Sequence, residues 1–105
     1  MIEVVDSEDQ RWILFRDSDR LLFDANCNHS AFGYSFLIEL KHHETEAYQQ
    51  RGREYLNELW RVIQDSAPIV RGSTSPFKGR DVSKELGDAT TKAFLDWKSQ
   101  RNQVG

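Results

Sequence analysis

Residues Ala31 to Gln64 read AFGYSFLIELKHHETEAYQQRGREYLNELWRVIQ, and inside this stretch one periodicity hands over to another. The even positions Phe32, Tyr34, Phe36, Ile38 and Leu40 are bulky and apolar, while the odd ones are Ala31, Gly33, Ser35, Leu37, Glu39 and Lys41. Successive side chains of a strand point to opposite faces, so this alternation predicts a long strand over about 31–41 with one face to be covered. From Glu44 the spacing changes. Tyr48, Gly52, Tyr55, Leu56, Leu59, Val62 and Ile63 recur at steps of three and four, the stripe of an amphipathic helix over about 43–65. That stripe is the natural cover for the strand.

Working outward, Ile2 to Val5 is a short β-prone run and 6–10 is polar enough to turn. Arg11 to Arg16 is apolar on both faces, through Trp12 and Leu14 on one and Ile13 and Phe15 on the other, which marks a strand interior to a sheet. Asp17, Ser18 and Asp19 suit a tight turn, and Leu21, Leu22 and Phe23 return, so 11–24 reads as a hairpin. On the far side, Pro68 stops the helix and 66–80 is a long loop, with Ile69 and Val70 offering a brief edge pairing. Val82, Leu86, Ala89, Ala93, Phe94 and Trp97 share one face of a second helix over about 82–100. Gly87 makes Asp88 an alternative start, and 100–105 should fray.

The expected architecture is one α+β domain over 1–105. It is an antiparallel β-meander of three to four strands (about 2–5, 11–16, 20–25 and 31–41) with both helices packed on one face. A chain of 105 residues suffices for one core, and twelve aromatic residues enrich it. Trp12, Trp60 and Trp97 come from three separate elements, and at least two are expected to meet in that core.

With Cys27 alone, no intramolecular disulfide can form, which favours a reducing, cytoplasmic setting. The first residues lack a basic start and a long apolar run, so neither a signal peptide nor a membrane span is expected. The sequon Asn28-His29-Ser30 is read as chance. Charge is lopsided. Residues 1–50 hold four Lys/Arg against ten Asp/Glu, and residues 51–105 hold ten against seven. An acidic first half disfavours nucleic acid and favours a basic partner.

Candidate chemistry is thin. Cys27, His29, His42 and His43 are all the thiol and imidazole available. A strand of eleven residues would hold the two ends of the set roughly 35 Å apart, so no metal or other cofactor is expected. Cys27 with His29 lacks a third member for nucleophilic catalysis. Gly72 to Gly79 resembles a phosphate loop only until Phe77 and Gly79 occupy its key places. The pairs Asp17/Asp19 and Glu54/Glu58 read as exposed rather than as acid and base. Phe32, Tyr34 and Phe36 belong to the face the helix must cover, so they read as core rather than as a base-stacking platform.

The leading expectation is a non-enzymatic interaction protein, of an inhibitor or immunity-type antidote kind. It would bind a basic protein such as a toxin or nuclease through Glu8, Asp9, Asp17, Asp19 and Asp24. An anion or nucleic-acid accessory domain using Arg71, Lys78, Arg80 and Lys84 is the alternative. Homo-oligomerisation through a sheet edge is a further expectation.

Overall fold

The computed structural model describes residues 2–29, 32–68 and 72–103. Four strands, β1 (Ile2–Glu8), β2 (Trp12–Asp17), β3 (Arg20–His29) and β4 (Phe32–Glu39), form one antiparallel sheet in the order β1-β2-β3-β4. The expected meander is present. Ala31, the expected start of the last strand, lies outside the described residues, as do Ile69 and Val70.

Register follows from two tight turns. Ser18, in the left-handed region at φ 57°, helps carry the chain from Asp17 back to Arg20, which face each other across the β2–β3 pair. Gln10, at φ 65°, does the same after β1, where Arg11 N–H donates to the Glu8 carbonyl at 3.0 Å. Leu14 then faces Phe23, and Phe23 faces Ile38, so the large apolar groups of β2, β3 and β4 converge on one surface.

That surface holds the larger core. Trp12, Leu14, Phe23, Ala25, Cys27, Phe36 and Ile38 lie beneath Leu56, Leu59 and Ile63. Each fully buried side chain of this size contributes about 1.5–3 kcal/mol. Trp60 packs against the same cluster as Trp12, as expected of two of the three tryptophans.

The expected helix over 43–65 is two helices, α1 (His42–Arg51) and α2 (Arg53–Ser66). Between them Gly52 takes φ 63° and ψ −141°, open to a residue without a Cβ. Its N–H closes α1 on the Tyr48 carbonyl at 2.7 Å, while the Tyr55 N–H donates to the Gly52 carbonyl at 3.1 Å.

The second helix, α3 (Ser83–Gln103), does not share a face with the first two. Val82, Leu86, Ala93 and Phe94 pack instead on Phe15, Leu22, Leu37, Ile2, Val4 and Ile13, the opposite side of the sheet. The reason lies in the strands. Phe15, Leu22 and Leu37 make a second apolar surface, which needs its own cover. Helices on both faces therefore replace the expected one-sided layer. Asp81 fixes the start of α3, accepting from the Ser83 N–H at 3.0 Å and its hydroxyl at 2.6 Å, so Gly87 is inside the helix and Asp88 is not its cap.

The described part of the long connection is pinned rather than slack. Ser66 and Ser75 share a hydroxyl contact at 2.7 Å, and the Ser73 hydroxyl donates to the Ser66 carbonyl at 3.0 Å. The Phe77 N–H reaches the Ser75 oxygen at 3.1 Å, and the Phe77 ring is buried in the larger core. The same connection covers part of the β4 edge, because Leu37 accepts from Val82 N–H at 2.7 Å and donates to Asp81 at 3.4 Å.

Candidate binding cleft

The face of the sheet under α3 is not apolar throughout. Strand alternation sets Asp24 beside Leu22 on that face, cross-strand from Ile13 on one side and Leu37 on the other. Towards the β1–β2 turn its neighbours become polar, and the last turns of α3 stand over them. The result is a cleft of about 730 Å³. Asp24, Asn26 and Ser35 contribute from the sheet, Glu8 and Asp9 from the hairpin, Phe94 and Trp97 from the helix, and Lys98 and Arg101 from its last turns.

Asp24 is the unusual member. Its Oδ1 is buried without a hydrogen-bond partner. Burial raises its carboxyl from 3.8 to about 6, and the nearby Asp81 carboxylate pushes the same way. An ionised carboxyl held in this manner lacks compensation, a situation that recurs where a group is kept for use rather than for stability.

The aromatic wall is built by Phe94 and Trp97, whose ring centroids are 5.9 Å apart and tilted by 34°. Arg101, four residues along α3, sets its guanidinium carbon 4.6 Å from the Trp97 centroid. Arg53 pairs with Glu8 and with Asp6, and Arg11 also lines the cleft while its guanidinium carbon lies 5.2 Å from the Trp60 centroid.

Of the five acidic residues singled out from the sequence, the fold brings Glu8, Asp9 and Asp24 to this cleft. It does not bring Asp17 and Asp19. Those sit at the β2–β3 turn, and the six residues of β2 separate the two ends by roughly 17 Å. Asp17 is moreover held below its usual value chiefly by a hydrogen bond from Arg20, at 2.8 Å, and Arg20 also pairs with Glu39. The acidic turns do not form one patch.

The basic set is divided as well. Arg71 lies outside the described residues, and Lys78 and Lys84 are exposed. Arg80 is committed to the fold: it donates to both Glu44 oxygens at 2.9 and 2.6 Å and to the Glu39 carbonyl at 2.9 Å, while lying over the Phe77 ring. Glu44 in turn accepts from the Lys41 N–H at 2.7 Å, closing the start of α1. Burial works to raise the Glu44 carboxyl, but the Arg80 hydrogen bond, the Lys41 amide and the charges of Arg80 and His43 together hold it below its ordinary value.

Cys27 is fully buried, and burial, against a hydrogen bond with Tyr34, raises its thiol to about 11. A thiol so placed is not a nucleophile near neutral pH. His42 is exposed and pairs with Glu46 at 2.7 Å, and the His29 side chain lies outside the described groups. Among the described residues no group of three or more His, Cys, Asp or Glu could hold a metal. No helix among them is long and apolar enough to cross a membrane.

Reading the sequence for exposed acidic turns passed over what sets Asp24 apart. It interrupts Leu21-Leu22-Phe23-Asp24-Ala25 at an inward-facing step of the alternation. Trp97 gave no separate signal, since an aromatic on an apolar helix stripe reads as core. No protein-family model, curated protein or solved structure matches the chain.

Proposed function

We propose that the chain is a non-enzymatic interaction protein that binds a basic protein partner, one of whose cationic side chains enters the cleft and pairs with Asp24. An inhibitor or immunity-type antidote of a cationic toxin is the concrete form of this reading. The observation that carries it is Asp24, a carboxylate that lines the cleft and whose Oδ1 is buried without a hydrogen-bond partner. A cation beside this carboxylate would relieve the cost of its partly buried charge. Asp9 at the hairpin end adds negative potential along the approach, while Glu8 is paired with Arg53.

The test is calorimetric titration of the full chain with an unstructured peptide of alternating arginine, lysine and glycine at several salt concentrations. Binding should weaken as salt rises, and Asp24→Asn should weaken it about tenfold or more. Asp17→Asn/Asp19→Asn should leave it nearly unchanged, because those residues lie at the other end of the sheet. An affinity indifferent to Asp24→Asn would refute the reading.

A further inference from the structure

Resting on that reading, the chemistry of the cleft narrows the kind of cation it takes. Asp24 offers a carboxylate on the sheet side, and Trp97 offers an aromatic face on the helix side. The ring already receives one guanidinium, that of Arg101, at 4.6 Å from its centroid. Arg101 is exposed and near the end of α3, so little holds it there beyond the ring itself.

We infer that the cleft takes the guanidinium of an arginine on the partner, seated between the Asp24 carboxylate and the Trp97 ring, with Arg101 giving up its place on that ring. A guanidinium is planar, so its edge donates two parallel N–H bonds to a carboxylate while its face stacks on an indole. A lysine ammonium is a compact, strongly hydrated charge that gains the first contact but less of the second. A carboxylate or phosphate ligand would be drawn by Arg11, Lys98 and Arg101 but would meet Asp24 at the sheet. At about 730 Å³ the cleft also exceeds one side chain, leaving room for the partner backbone on either side of the arginine.

The experiment is a chemical-shift titration of the full chain with acetyl-arginine methylamide and acetyl-lysine methylamide. The arginine compound should bind about fivefold more tightly than the lysine compound. Asp24→Asn should reduce binding of both, whereas Trp97→Leu should remove the preference and keep the weaker common affinity. Trp97→Phe, which retains an aromatic face, should keep part of the preference and guards against a misfolded leucine variant. Arg101→Ala should tighten arginine binding about twofold, because the ring no longer has an internal occupant.

Equal affinity for the two compounds, both lost in Asp24→Asn, would overturn the guanidinium assignment while the basic-partner reading stands. Weaker arginine binding by Arg101→Ala would overturn the displacement. If neither compound nor the mixed basic peptide binds, both readings fall.

Discussion

Replacing Asp24 with asparagine should make the protein more stable at neutral pH, and the gain should depend on pH in a defined window. The carboxyl is raised from 3.8 to about 6 by burial, with Asp81 adding to it. The folded state therefore binds a proton more tightly than the unfolded chain. At about 1.4 kcal/mol for each pKa unit, the wild type should lose on the order of 3 kcal/mol as the pH rises from about 4 to about 7. The sign follows from the raised value: below 3.8 the group is protonated in both states and has no penalty, and above about 6 the penalty is complete. Asparagine never ionises, so its stability curve lacks that fall. A buried amide still needs partners, which takes back about 1–2 kcal/mol, leaving a net gain of about 1–2 kcal/mol near pH 7. Urea unfolding of both proteins at several pH values measures the difference directly. Taking the difference also removes the other charges that face Asp24 or line the cleft, namely Asp81, Glu8, Asp9, Arg11, Lys98 and Arg101, because they are common to both proteins. Parallel curves, or a variant less stable than wild type at every pH, would refute the reasoning.

Glu44→Gln or Arg80→Ala should destabilise by about 2–4 kcal/mol in urea unfolding, since the pair is nearly buried, with side-chain exposures of 5% and 16%, and also closes α1. Because Glu44 is held below 4.5, its stabilisation should be complete above that pH and disappear as the pH falls through the folded value, a trend that Glu44→Gln should lack. Gly52→Ala should cost about 1–3 kcal/mol in thermal unfolding through backbone strain alone, because a Cβ there meets nothing within 4 Å while φ is +63°. Cys27 should resist iodoacetamide near neutral pH and react only when the chain unfolds, which mass spectrometry in increasing urea reads directly.

Much of the fold was legible because local periodicity and core burial coincide in this chain. The alternation of Tyr34, Phe36 and Ile38 and the stripe of Leu56, Leu59 and Ile63 lead to the same core from two directions. The side of α3 was harder to read, since its stripe is equally apolar whichever face it covers. The deciding residues were Phe15, Leu22 and Leu37, spread over three strands, and only the register shows that they form one surface. The break at Gly52 was masked by the continuity of the stripe through it.

By itself, the sequence determined the order of the strands and helices, the face of β4 that lies under the following helices and the absence of an intramolecular disulfide, because each is read along the chain. Only the tertiary structure decided that Asp24 lines one cleft with Trp97 of α3 while Asp17 and Asp19 lie at the far end of the sheet. Charge in sequence says how many carboxylates there are. Their meaning depends on distance and burial, and strand pairing sets both.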